Sequence, residues 1–506
     1  MSSKILSAAC LGLNAELVEV EADTGGGEIG SFAMVGLPDA AVQESKERVR
    51  SAIKNSGFDF PKLKVTVNLA PADIRKQGPS YDLPIAISIL EATGRINISD
   101  DVSKILFIGE LALNGDVRSV NGILPIALSA HNWGVKKIFV PAANANEASL
   151  AKNLEVIPIE NLSQLTNHLS GVKKIQTLAP VEFNFSNQEI MFDMAHIQGQ
   201  EHVKRAMEIA AAGAHNMLMS GSPGSGKTLI ARTMPSILPD LVLEEALELT
   251  KIYSVAGKLK NNSSLMLSRP FRSPHHTTSG VALVGGGTWP KPGEISLAHR
   301  GILFLDEFAE FSRQTLENLR QPLEDGVINV SRAAGNLTFP AKFILVAAMN
   351  PCPCGYLNDK EKECLCSKQQ TMNYAKKISG PILDRIDLHI DVPRLKFDKL
   401  TSNNLGETSN DIKKRIIRAR NIQTQRFKSL PFITNSEMSS EAVKKYCKID
   451  EVGSQLLKNA VEKLFLSARA YFRILKLART IADLDGAVDI TPAHLAEAIQ
   501  YRPKVD

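Results

Sequence analysis

Apolar residues recur along the chain with two periods that take turns. Short strand-like runs lie at Ala15–Glu21, Lys64–Leu69, Ile105–Glu110 and Lys137–Pro141, and helical spacing fills Asp39–Ser56, Pro84–Thr93 and Gly122–Asn132. Residues 1–170 therefore read as a mixed α/β domain. Periodicity weakens over 171–193, which reads as a linker. Over 194–395 the apolar runs Asn216–Ser220, Gly301–Glu307 and Phe343–Met349 alternate with helical stretches, the pattern of a parallel sheet with crossover helices. Residues 396–506 are helical and strongly charged after a Gly/Ser/Asn-rich break at Thr401–Asn410. Thr491-Pro492 opens the last helix with a cap followed by proline at its first position. No short internal repeat is visible.

Composition narrows the class. With 506 residues, 44% hydrophobic and 22% charged, the chain is a globular protein of several domains, neither fibrous nor disordered. A net charge of +5 is diffuse and is compatible with nucleic acid without arguing for it. The longest apolar runs, such as Leu83–Leu90 and Phe343–Met349, fall far short of the roughly 18 residues that span a bilayer, so no membrane span is expected. Met1–Leu13 faintly imitates an export signal but runs straight into the strand-like Ala15–Glu21, and a cytoplasmic protein is expected. Of the 6 cysteines, four crowd into Cys352–Cys366, which suits a reducing compartment and a local metal site better than disulfides.

The strongest chemical signal is Gly221-Ser222-Pro223-Gly224-Ser225-Gly226-Lys227-Thr228, a G-x-x-x-x-G-K-T loop between a strand-like and a helical segment. Glycines let backbone N–H groups cradle phosphates, and the helix N-terminus adds partial positive charge. Lys227 neutralises the β and γ phosphates and the Thr228 hydroxyl holds Mg²⁺, so ATP and Mg²⁺ are the expected cofactors. Asp306, at the end of the apolar Gly301–Glu307, reaches the Mg²⁺ shell, and Glu307 is placed to polarise the attacking water. Asn350 ends a further strand and would orient that water from the same sheet edge.

With these elements in order, the chain resembles an AAA+ ATPase, more narrowly the magnesium-chelatase-like ComM/YifB family. The resemblance rests on Val35–Asp39, Arg75–Pro84, Arg269–Thr277, Asn350–Gly355, Gly380–Asp387 and Ser467–Leu484 and spans essentially the whole chain. It implies that Ile197, Gly199 and Gln200 lie near the adenine, that Arg385 is an arginine finger supplied to a neighbouring subunit, and that Arg469 is the lid-helix sensor arginine, with Arg473 as the alternative. Arg385 has a competing reading as an intramolecular ion pair with Asp384 or Asp387. A finger in trans implies a homo-oligomeric ring, expected to be a hexamer.

Two insertions follow from the same resemblance. Arg269–Ser296 reads as a loop or hairpin, and Val327–Lys342 as a β-hairpin turning at Ala333–Asn336. Equivalent hairpins in similar helicases line a central pore, which makes Arg269, Arg272, His275, His276, Lys291 and Arg332 candidate phosphate contacts; the competing reading is that they stabilise the ring. Adjacent histidines diverge in an extended loop, so His275-His276 is not read as a metal site. Cys352, Cys354, Cys364 and Cys366 form C-x-C…C-x-C, and four thiolates satisfy a structural Zn²⁺. The basic stretch Asp411–Lys428 reads mainly as a solvated helix face.

Residues 1–170 resemble the proteolytic domain of Lon, with Gly78-Pro79-Ser80 in place of its serine segment. A Ser/Lys mechanism needs an amine to take the serine proton. Leu124 stands where the lysine would be, and Lys76 is on the wrong side of the motif, so proteolysis is not expected. The fold expected is thus an α/β multidomain chain: a Lon-like domain, an AAA+ P-loop core and a helical lid. The function the family implies is an ATP-driven DNA helicase for branch migration of forked or junction DNA in natural transformation and homologous recombination, with recombination proteins as further partners. Its rivals are a ring that remodels a protein partner and a metal-chelatase motor subunit.

Overall fold

A computed structural model describes residues 2–26, 30–74, 76–179, 192–259, 265–287, 290–332, 335–357, 359, 361–394 and 406–503. Arg75, Trp289, Ala333, Asn358, most of the expected linker and the first half of the Thr401–Asn410 break lie outside these residues, as does the side chain of Arg332.

The amino-terminal sheet has seven strands in the spatial order Phe32–Val35, Lys64–Ala70, Asn14–Gly25, Ser2–Leu11, Ile105–Phe107, Lys137–Pro141, Glu155–Ile159. Ser2–Leu11 and Asn14–Gly25 form an antiparallel hairpin closed at Leu11↔Asn14. The segment that imitates an export signal is therefore an inner strand, with Ile5 and Ala8 buried. Ile105–Glu110 is shorter than expected: the strand stops at Phe107, and Glu110–Leu111 pairs separately with Val117–Arg118. Helix Ala40–Asn55 is capped by Asp39, whose side chain accepts from the Val42 amide. Helix Asp82–Ala92 is buried on every side except at Glu91, which explains its unbroken apolar composition.

The second sheet is parallel, in the order Phe271–Arg272, Ile302–Leu305, Ile344–Met349, Met217–Ser220, Leu388–Asp391. The chain leaves Met217–Ser220 for the far edge, returns strand by strand, and then adds Leu388–Asp391 on the other side. Such a reversal opens a crevice at the strand's carboxyl end. Side chains alternate between two cores. Ile302, Phe304, Val346 and Ala348 pack with Ile412, Ile416, Ile474 and Ile481 of the carboxy-terminal helices. Leu303, Leu305, Leu345 and Ala347 pack with Ile328, Val330 and Phe339 of the expected β-hairpin. That hairpin pairs Val327–Arg332 with Gly335–Pro340. The first insertion is only partly a hairpin among the described residues: Phe271–Arg272 joins the parallel sheet, and Gly285–Gly286 pairs with Lys291–Pro292 beyond it.

The two sheets are joined by an apolar seam in which Leu124 and Leu150 meet Leu249, Ile252 and Leu297. Among the described residues no helix is long and apolar enough to cross a membrane.

Candidate nucleotide site

The crevice at the end of Met217–Ser220 holds the glycine-rich loop. Gly221 is forced by crowding, since a Cβ there would lie 2.3 Å from the Val392 carbonyl oxygen. Gly226, at φ 88°, turns the chain into helix Lys227–Ile237, whose first amides face the loop. Gly224 is also left-handed, and Pro223 stands beside it. Lys227 Nζ donates to the carbonyls of Gly221 (2.7 Å) and Ser222 (3.0 Å) and lies 3.4 Å from Ser225 Oγ and 3.5 Å from Asn350 Oδ1. Burial lowers its pKa, against the opposing charge of Asp306. A buried ammonium held by backbone carbonyls is set to exchange them for phosphate oxygens.

Thr228 Oγ1 donates to Asp306 Oδ2 at 2.7 Å, so the hydroxyl and carboxylate expected to share a Mg²⁺ already meet. This pair fits the ion, an oxygen-seeking cation that would neutralise phosphate charge. Gly199 and Gln200 both have positive φ, and Gln200 Nε2 bridges the Ser225 (3.2 Å) and Pro393 (2.9 Å) carbonyls beside the buried Ile197. The segment ahead of the loop is thereby tied to it. Glu307 sits at φ 51°, its amide donating to Asp306 Oδ1, and its exposed carboxylate is paired with His276 Nδ1 at 2.8 Å.

Arg385 and Arg469 are not at this edge. Asn216, which precedes the strand, donates to the Arg385 carbonyl (3.2 Å) and accepts the Asp387 amide (3.0 Å). A four-residue strand at ~3.3 Å per residue separates the Arg385 backbone from the phosphate loop by about 13 Å. Both arginines converge on Glu324, and Arg385 also reaches the Pro381 carbonyl at 2.7 Å. The ion pair with Asp384 or Asp387 considered for Arg385 does not form. Asp387 is taken by Arg473 at 2.6 Å and by His215 at 3.3 Å.

The candidate DNA contacts are mostly engaged within the chain. Arg269 is held by Glu245 (2.8 Å) and the Pro239 and Arg300 carbonyls, and Arg272 makes a bidentate pair with Glu294 (2.6 and 2.8 Å). Planar guanidinium forks next to carboxylates take this geometry, so neither is free here for a phosphate. His275 bonds Thr277 and stacks on His276, whereas Lys291 is exposed. The helix Ser409–Arg426 buries its apolar face, and its Arg415, Arg420 and Arg426 are tied to Glu208, the Ala211 carbonyl and Asp483.

The four clustered cysteines come together, with all Sγ atoms within 4.8 Å of one another. The pairs Cys352–Cys354, Cys352–Cys364 and Cys354–Cys364 lie at 3.4, 3.7 and 3.6 Å, and none is a disulfide. The loop they hold was not expected to touch the nucleotide site, yet Asp359 Oδ2 accepts from Ser222 Oγ at 2.6 Å. Arg394 joins Asp359 (3.3 Å) and the Pro223 carbonyl (3.2 Å). Sequence spacing carries no sign of this contact, nor of Glu324 or the His276–Glu307 pair.

In the amino-terminal domain Ser80 lies in the 3-10 turn Pro79–Tyr81, and its hydroxyl has no hydrogen bond among the described residues. Leu124 is fully buried in the seam between the sheets, and Lys76 is buried against the Pro71 carbonyl. Asp82 is buried and held by Arg48 at 2.7 Å and by Ser45.

Comparison with known proteins agrees with this arrangement. The family model described as magnesium chelatase, subunit ChlI, matches residues 193–400; a second ChlI model matches 18–144, and the ChlI C-terminal model matches 406–502. Competence protein ComM of Haemophilus influenzae is 43% identical over 99% of this chain and 97% of its own length. The chain belongs to the ComM/YifB family of magnesium-chelatase-like AAA+ ATPases. YifB of Escherichia coli is a further relative of this ATPase, 42% identical over 98% of the chain and 96% of its own length. Lon protease 1 of Myxococcus xanthus is 29% identical over 160 residues, 29% of this chain and 19% of its own. The Lon-like resemblance thus covers a limited stretch, and the ATPase resemblance covers the whole.

Proposed function

We propose that this ComM/YifB-family ATPase is a cytoplasmic, ring-forming DNA motor that drives branch migration of DNA junctions during natural transformation and homologous recombination. ATP and Mg²⁺ bind at Gly221–Thr228 and Asp306; the metal supplies positive charge to the phosphates. Glu307 polarises the attacking water and Asn350 orients it. The observation that carries the ring is the position of Arg385. It lies at the sheet edge opposite its own phosphate loop, which supports its service to a neighbour's nucleotide, and Arg469, read as the lid-helix sensor arginine, meets it there on Glu324. An arginine supplied in trans is worth roughly 10³–10⁵ in rate in other NTPases. We take the ring to be hexameric. The DNA substrate rests on likeness to a competence protein and on the hairpin Val327–Pro340, whose described residues project no aromatic cluster suited to gripping a polypeptide.

The cysteine cluster is read as a structural zinc site. A tetrahedron of ~2.3 Å Zn–S bonds has S–S edges of about 3.8 Å, close to the separations above.

The test is ATP-dependent displacement on labelled three-strand and four-way junctions. The parent chain migrates them, and Lys227→Ala and Glu307→Gln do not. A robust ATPase indifferent to DNA, with no displacement, overturns the DNA reading in favour of a ring acting on a protein.

A further inference from the structure

The cysteine cluster lies far from the sheet edge that carries Arg385 and directly against the phosphate loop. Three contacts join them. Asp359, between the second and third cysteines, accepts the Ser222 hydroxyl at 2.6 Å. Gly355, next to Cys354 and at φ 84°, packs so closely on Pro223 that a Cβ would lie 2.5 Å from its ring. Arg394 closes the group, pairing with Asp359 at 3.3 Å and donating to the Pro223 carbonyl at 3.2 Å.

Within the knuckle Tyr356 lies against Arg394 and Lys362, and Asp359 accepts from the Glu361 and Lys362 amides. Among the described residues between Cys354 and Cys364 there is no regular helix or strand, and apart from Cys352 the cysteines are only half-buried. A short, polar, weakly packed loop has too little buried apolar surface to fix its own shape, so its geometry depends on what binds the four thiols. The Cys354 amide already points at Cys366 Sγ (3.4 Å), the kind of donor that steadies a metal-bound thiolate.

We infer that the metal-bound knuckle is a buttress for the phosphate loop: a zinc ion held by Cys352, Cys354, Cys364 and Cys366 presents Asp359 and Gly355 to Ser222 and Pro223 and so sets nucleotide affinity. Asp359 is a positioning residue here, because it acts on the nucleotide through Ser222. The inference rests on the zinc reading above.

The experiment uses the full chain and a fluorescent ATP analogue with Mg²⁺ held in excess. Zinc content and analogue affinity are measured on protein as purified, after stripping with a zinc-selective chelator, and after zinc is returned. Stripping lowers affinity about tenfold or more, and zinc restores it. Asp359→Ala retains its zinc yet binds the analogue more weakly by about tenfold or more, the scale of a lost hydrogen bond to a charged group. Asp359→Asn, which keeps an acceptor, recovers part of that loss. Zinc present but affinity unchanged on stripping, or Asp359→Ala binding like the parent with zinc in place, overturns the buttress and leaves the zinc site standing. Protein that holds no zinc and does not take it up overturns the zinc reading, and the buttress with it.

Discussion

The chain carries two motifs that elsewhere perform hydrolysis, and they have met opposite fates. At the phosphate loop each side chain meets the partner its chemistry requires: Lys227 faces the loop carbonyls, and Thr228 meets Asp306 at 2.7 Å. At the Lon-like Gly78-Pro79-Ser80 the sequence offers no lysine at the position expected of a base. Leu124 occupies the lysine position and is buried in the seam to the ATPase core, and the nearby Lys76 is buried against a carbonyl. Asp82, which follows the motif, anchors a helix through Arg48. A motif is therefore worth what its surroundings allow. In the amino-terminal domain Leu124 packs against the ATPase core, while Lys76 and Asp82 bond within their own domain.

The largest effect that would sharpen the contrast is at the two motifs themselves. Lys227→Ala lowers ATP turnover by about a hundredfold or more, the scale for losing a preorganised charge at a transition state. Ser80→Ala leaves turnover unchanged, and neither the parent nor the variant cleaves casein; cleavage lost in Ser80→Ala would break the comparison. Next is Asp82→Ala, which removes one partner of a buried ion pair. It costs about 3–5 kcal/mol in the denaturation of the amino-terminal domain. Leu124→Lys is smaller and more pointed: it restores the lysine of the Ser/Lys pair in sequence but puts an amine into an apolar seam. It yields no peptidase and destabilises the chain by about 2–5 kcal/mol, as Leu124→Ala does. A gain of peptide hydrolysis would mean that the old site is merely dormant.

The smallest effect is at the edge that carries Arg385. Asp387 is fully buried, which alone would raise its pKa, but Arg473 and then His215 outweigh burial and hold it far below the carboxylate range. A depressed folded pKa contributes stability that is complete above the unfolded value of about 3.9 and is lost as pH falls below it. Chemical denaturation of the parent therefore weakens below pH ~4, and Asp387→Asn, less stable at neutral pH, shows a flatter acid limb. Parallel acid limbs would contradict the assignment.

Much of this was legible in the sequence because it is local. The phosphate loop, the strand ending at Asp306 and the Asp39 and Thr491 helix caps are written in a few adjacent residues. The hairpin Val327–Pro340 also follows from the turn signal at Ala333–Asn336 between its two runs. Contacts between segments were not legible. Arg269 and Arg272 looked free because Glu245 and Glu294 lie more than 20 residues away, and an arginine satisfies the nearest carboxylate in space. His276, a candidate phosphate contact, pairs in the chain with Glu307, 31 positions on. Asp359 carried no signal, since an aspartate in a polar turn reads as a turn former. Ser2–Leu11 faintly imitates a leader because an inner strand and a short apolar leader share the same composition.

The central claim is that each nucleotide site is completed by a neighbour. Lys227→Ala subunits lack a working loop but keep Arg385, and Arg385→Ala subunits are the reverse. Each is inactive alone. Mixing them in one assembly joins an intact loop to an intact arginine at some interfaces, so ATP turnover reappears and peaks at intermediate ratios. Turnover that stays at the level of the separate variants at every ratio, in assemblies shown to exchange subunits, would contradict an arginine supplied in trans.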